Sequence, residues 1–172
     1  FVGERVFENG IVVGANLGYS VYGLDKEGLE KAIDPCDCKN LTIESQSFQN
    51  LNLQGRFGYN IEIIKDKLGV VPFLDAGLGV FNSAYYAIQY PNGDLFVRSG
   101  NTAIGFLMSP GLDIWIPLNS FMNLKLYGAY QFASYKVDET FTASGSTNST
   151  SNNTINYEYN SINTGVGITM VF

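Results

Sequence analysis

The sequence predicts an all-β fold, an antiparallel, up-and-down transmembrane β-barrel, and three observations carry the prediction. Six segments of ten residues or more alternate apolar with polar or small side chains, and a period of two belongs to strands, not helices. The two faces are unequal: one is nearly all Leu, Ile, Val, Phe, Met and Tyr, the other is rich in Gly, Asn, Ser and Gln. The connections run long, short, long, short, long, the cadence of a meander with one constrained end and one free end.

The first strand is GIVVGANLGYSVYG, with Ile11, Val13, Ala15, Leu17, Tyr19 and Val21 on one face and Val12, Gly14, Asn16, Gly18, Ser20 and Tyr22 on the other. The second, NLNLQGRFGYNI, sets Leu51, Leu53, Phe57, Tyr59 and Ile61 against Asn50, Asn52, Gln54, Arg56, Gly58 and Asn60. The third, VVPFLDAGLGVFNS, sets Leu74, Ala76, Leu78 and Val80 against Phe73, Asp75, Gly77, Gly79 and Phe81. AIGFLMSPGLDIWI is the fourth, with Ile104, Phe106, Met108, Leu112, Ile114 and Ile116 opposing Gly105, Ser109, Gly111, Asp113 and Trp115. FMNLKLYGAYQF is the fifth, with Met122, Leu124, Leu126, Tyr130 and Phe132 opposing Asn123, Lys125, Tyr127, Ala129 and Gln131. The sixth is NTGVGITMVF, which alternates up to Phe172. Residues 1–8 and the KNLTIES segment offer further pairing, so eight strands are expected in the complete protein.

Between these strands, residues 23–44 form a long link with a helical turn expected at Lys26–Ala32. IIKDKLG and PLNS are short turns, and YPNGDL is a hairpin tip in which Asn92-Gly93 supplies the two-residue turn. The Ser/Thr/Asn-rich DETFTASGSTNSTSNNT stretch has the composition of a mobile loop.

The 172 residues suit a single domain. A net charge of −6 without any basic run excludes a nucleic-acid surface, and the absence of His removes the commonest general base and metal ligand. No apolar run approaches the ~20 residues of a membrane-spanning helix. The start at Phe1, without Met, reads as a processed or trimmed form.

Which face points inward follows from the glycines. An outer surface of Gly14, Gly18, Gly77, Gly79, Gly165 and Gly167 around an apolar soluble core has no rationale, because glycine is a weak strand former. With the apolar face against lipid, the Gly/Asn face becomes a narrow, filled interior. Closing the sheet pairs every backbone group, as hydrocarbon demands. Tyr19, Tyr59, Tyr130 and Phe172 then fall near strand ends, where aromatic girdles belong.

Four charged residues share the inward parity of strands two to five: Arg56, Asp75, Asp113 and Lys125. Each lies four to six residues from a short turn, so a meander brings them to one level. Two acids and two bases would neutralise one another there, an interior ion-pair network preferable to unpaired charges. Cys36 and Cys38, in DPCDCKN, suit a small loop disulfide or a free pair. They lack the further Cys or His that a zinc site needs.

With the strands placed, the chain resembles the small bacterial outer-membrane β-barrels: the OmpA transmembrane domain, OmpX and the opacity-type proteins. Pro72, Phe73, Ala76, Gly77 and Gly79 of VVPFLDAGLGVF resemble that family's proline-aromatic strand and alternating Ala-Gly run. Phe172, with Met170 and Ile168 at alternate positions, is similar to the C-terminal signal that the barrel-assembly machinery reads. The resemblance implies a single outer-membrane domain spanning 1–172, with both termini periplasmic and the long loops extracellular. It implies no enzymatic activity and no cofactor. The expected partners are outer-membrane lipid and lipopolysaccharide, the assembly machinery and other envelope proteins, met through the loops or within a larger complex. The competing expectations are a narrow outer-membrane pore and a soluble, lipocalin-like ligand-binding barrel.

Overall fold

The computed structural model describes residues 2–33, 41–145 and 148–170, the side chain of Met170 excepted. The elements are β1 (Val2–Val6), β2 (Ile11–Tyr22), α1 (Lys26–Ile33), β3 (Thr42–Ser45), β4 (Phe48–Tyr59), β5 (Ile61–Ile64) and β6 (Leu68–Asn82). They continue with β7 (Tyr86–Gln89), β8 (Leu95–Gly100), β9 (Thr102–Asn119), β10 (Met122–Ser144) and β11 (Ser149–Met170). All pairings are antiparallel. No helix is long and apolar enough to cross a membrane, which says nothing of the strands.

Seven strands form the body of one sheet in the order β1-β2-β4-β6-β9-β10-β11. Their short connections gather at one end, called lower here: residues 7–10, the three-residue turn between β5 and β6, and the turn between β9 and β10. Asp66 takes the left-handed conformation in the second of these turns, at φ 58°. At the upper end β10 outruns β9, and its Glu139–Ser144 segment pairs with β8 instead. β8 pairs β7 and β7 pairs β3, so a small sheet rises above the body. The expected Asn92-Gly93 turn joins β7 to β8, with Gly93 at φ 89° and Tyr90 N–H donating to the Asp94 carbonyl at 2.9 Å. The expected helical turn is present as α1.

Three expectations need correction. The sheet has eleven strands, not eight. β3, β5, β7 and β8 are too short for an alternation pattern to reveal, and long-range pairing creates them. Second, the sheet is not closed: among the described residues nothing pairs β1 with β11. Val2 lies halfway up β2, opposite Asn16, so the described chain does not begin at the lower end. Third, most of the Ser/Thr/Asn-rich segment is strand: residues 138–144 belong to β10 and 149–154 to β11. β10 and β11 stay in unbroken register from Met122↔Met170 to Ala143↔Ser149. Cross-strand partners override composition there: Thr140 Oγ1 bonds Asn152 Oδ1 at 2.9 Å and Thr154 Oγ1 bonds Asp138 Oδ1 at 2.6 Å.

Burial is inverted relative to a soluble sheet. Leu53, Phe57, Ile104, Val166 and Ile162 are 62–76% exposed, while Asn50, Asn52, Gln54, Arg56, Asp75, Ser109, Asp113 and Gln131 are buried. The apolar face therefore points outward from β2 round to β11. The polar and glycine face curls inward.

Candidate functional site

The inward face is filled in tiers. β4 carries Asn50, Asn52, Gln54 and Arg56 on one side, and β6 carries Asp75 opposite Arg56 in register. β9 sets Asp113 against Tyr127 of β10, two residues beyond Lys125. Period-two geometry sends all four charged side chains inward, and the curl of the sheet makes them converge.

Arg56 is the hub. Its Nε donates to Asp75 Oδ1 at 2.8 Å and its Nη2 to Asp75 Oδ2 at 2.9 Å, a two-pronged pair. Its Nη1 donates to Asp113 Oδ2 at 2.8 Å. Lys125 Nζ lies 3.2 Å from the same Asp113 oxygen. The guanidinium stacks over the Phe73 ring at 3.7 Å. Arg56, Asp75 and Asp113 are 4%, 1% and 0% exposed. The four residues placed together by parity do meet.

A fifth member was invisible to that reasoning. Glu4, on β1, lies 3.3 Å from Arg56 Nη1 and also pairs with Lys125 Nζ. FVGERVFE carries too few alternations to assign Glu4 a face, and its partners lie far along the chain. The cluster thus holds three carboxylates (Glu4, Asp75, Asp113) and two cations (Arg56, Lys125).

Above it lies a neutral polar tier. Gln54 Nε2 donates to Ser109 Oγ at 3.1 Å, and Asn163 Nδ2 donates to Gln131 Oε1 at 2.8 Å. Next comes an aromatic tier. Phe81 stacks on Phe48 and Tyr135, with centroids 5.9 and 5.1 Å apart, and Tyr135 stacks on Tyr159 at 6.1 Å. Tyr135 O–H donates to Asn50 Oδ1 at 2.9 Å, and Asn50 Nδ2 donates to Tyr159 Oη at 2.7 Å. Gly79 and Gly105 make this tier possible, since a Cβ at either position would overlap Tyr135. The uppermost tier is Glu139, wholly buried, which pairs with Arg98 of β8 and accepts from Tyr157. Ser83 Oγ adds a long bond to it at 3.4 Å. Tyr135, Tyr157 and Tyr159 flank the Ser/Thr/Asn-rich stretch, beyond the ends of the two strands marked by alternation, so the sequence reading did not place them.

The other predicted residues do not join this site. Ile168 faces outward and is exposed. The side chain of Met170, together with Phe172, Cys36 and Cys38, lies outside the described residues. Among the described residues no group of three or more His, Cys, Asp or Glu side chains is placed to hold a metal ion. No protein-family model matches the chain, and no curated protein is significantly similar to it. What the arrangement does chemically is therefore read from its own geometry: it pairs buried charges and ties distant strands together.

Proposed function

We propose that the chain is a non-enzymatic barrel domain of a bacterial outer membrane, held there by its apolar outer face and presenting its upper sheet to envelope partners. One observation carries this reading: large apolar side chains are exposed around the sheet while charged and amide side chains are buried inside it. In water that arrangement forfeits most of the hydrophobic stabilisation that folding relies on. Against hydrocarbon it is the favourable one, provided the sheet closes.

The tiers make the interior a plug. An Arg–carboxylate cluster, an amide tier and stacked rings cross-link the interior, which favours the structural reading over a conducting pore. A soluble ligand-binding barrel would line its interior with apolar side chains, whereas this one is lined by ion pairs. The upper sheet, built by β3, β7, β8 and the upper parts of β10 and β11, is the surface left for partners. Its outward Lys136, Asp138, Thr154 and Glu158 are polar, in contrast to the belt below. The lower end is then periplasmic and the upper end extracellular, and assembly proceeds through the C-terminal Ile168-Met170-Phe172 signal.

The test is insertion. The urea-unfolded chain should fold into short-chain lipid vesicles, resist a carbonate wash and remain silent in planar bilayers. A chain that folds and stays monomeric in detergent-free buffer refutes the membrane reading. Stepwise conductance at the single-molecule level refutes the plug.

A further inference from the structure

Charge, space and a bare strand edge come together where β1 and β11 face each other. Both strands run toward the lower end, and among the described residues nothing pairs one with the other. Behind this seam lies a cavity of about 560 Å³, the size of a small-molecule site. Its inner wall is polar, with Asn16, Gln54, Asp113 and Lys125, while Tyr19, Val166 and Ile168 border its mouth. Those three belong to the outer belt and are 62–72% exposed. The β11 wall is bare at Gly167, where an added Cβ meets nothing within 4 Å. In the membrane reading this polar cavity opens sideways into lipid.

The cluster on its inner wall is short of one positive charge. Glu4, Asp75 and Asp113 share only Arg56 and Lys125. Asp113 is 0% exposed, and its Oδ2 accepts from Arg56 and lies 3.2 Å from Lys125 Nζ. Its Oδ1 has no hydrogen-bond partner among the described residues. A buried oxygen without a donor and a buried charge without a counterpart are both costly. One cation bearing N–H groups relieves both. Among the described residues the carboxylates are not placed to hold a metal ion, so an ammonium, with its charge and its three donors, is the group that fits. The level points to its source. Glu4 is two residues from the lower end of β1, and Arg56 and Lys125 are three from the lower ends of β4 and β10. At ~3.3 Å per residue the cluster lies within about 10 Å of the lower end of the strands, close to the headgroups of that leaflet.

We propose that the cavity seats one phospholipid of the lower leaflet whose headgroup ends in a primary ammonium. The inference rests on the membrane reading. The ammonium donates to Asp113 Oδ1 and brings the cluster to neutrality. The phosphate lies at the mouth and accepts from N–H groups on the facing edges of β1 and β11, which need polar partners in hydrocarbon. The acyl chains run past Tyr19, Val166 and Ile168 into the belt. A choline headgroup has the same charge but no N–H, and a glycerol headgroup has no positive charge, so neither completes the cluster. A soluble amine leaves the apolar mouth unfilled.

The experiment uses the full-length polypeptide folded in detergent micelles and offered phosphatidylethanolamine, phosphatidylcholine or phosphatidylglycerol. Native mass spectrometry counts the lipids retained. One phosphatidylethanolamine should be held about tenfold or more tightly than either other lipid, the effect of one hydrogen bond to a charged group. Gly167→Leu fills the cavity without touching the charges and should abolish the preference. Asp113→Asn, which removes the unpaired charge, should abolish it as well. Equal retention of the three lipids, or retention of none, overturns the proposal. Displacement of the lipid by an equal concentration of free ethanolamine overturns the lipid as its source. A preference that survives both substitutions overturns the assigned seat. Carbonate-resistant insertion into vesicles is scored on every variant. Its loss in the unsubstituted protein sinks the membrane reading, whereas insertion without a lipid preference sinks only the lipid seat.

Discussion

Arg56→Met is the most informative single change in the interior. The guanidinium makes two bonds to Asp75 at 2.8 and 2.9 Å, one to Asp113 at 2.8 Å and one to Glu4 at 3.3 Å. Without it, among the described residues Asp75 keeps Asn16 Nδ2 at 3.2 Å, and Asp113 keeps Lys125 at 3.2 Å. Two buried carboxylates then face a low-dielectric interior with one weak partner each. Removing one partner of a buried ion pair costs about 3–5 kcal/mol, and the Phe73 stacking adds to the loss. Asp75→Asn is milder, because Arg56 keeps Asp113 and Glu4; about 1.5–3 kcal/mol is expected for the weakened charged hydrogen bonds. The double variant Arg56→Met/Asp75→Leu should recover at least about 1 kcal/mol relative to the sum of its singles, the coupling of a contacting pair. The assay is urea unfolding in lipid vesicles, followed by the fluorescence of the single tryptophan, Trp115, whose Nε1–H donates to Asn60 Oδ1 at 2.7 Å. With a slope of about 2 kcal/mol/M, Arg56→Met should lower the midpoint by roughly 2 M. A loss under about 1 kcal/mol, or strict additivity in the cycle, would refute the view of the cluster as a mutually dependent network.

Other changes probe the remaining layers. Leu53→Arg, on the middle of the outer face, should cost about 2–4 kcal/mol of vesicle stability; equal stability in vesicles would remove the lipid-facing assignment. Gly105→Ala should cost about 1–3 kcal/mol by overpacking, and the further change Tyr135→Ala should relieve part of that penalty; unchanged unfolding midpoints would mean the ring has room. Glu139→Gln should loosen β8 from β10, so limited proteolysis should accelerate at residues 90–94 while the membrane-level strands stay protected from hydrogen exchange; uniform protection across both regions would count against an ion pair that clips the upper sheet.

Much of the fold was legible because strand alternation is a local property. The six long strands and their faces came from residues two apart, as did the placing of Arg56, Asp75, Asp113 and Lys125 at one level. Glu4 was hidden for the converse reason: its partners Arg56 and Lys125 are 52 and 121 residues away, and nothing in its neighbours records them. Composition misled where pairing dominates. Ser, Thr and Asn around 138–154 signalled a loop, yet β10 and β11 each find a partner at every step and extend well above the apolar belt. The short β3, β7 and β8 exist only because β10 outruns β9 and offers them an edge.

The sequence by itself determined the secondary-structure class, the strand faces and the sign of the burial, because period-two alternation and the side-chain chemistry of each face are written residue by residue. Tertiary structure alone decided the number of strands, the open seam between two like-directed edges, Glu4 as the fifth charge, and the seating of Tyr135 over Gly79 and Gly105. Those features depend on which distant strands lie side by side, and hydrogen-bond register across a curled sheet is a property of pairs of segments, not of any one of them.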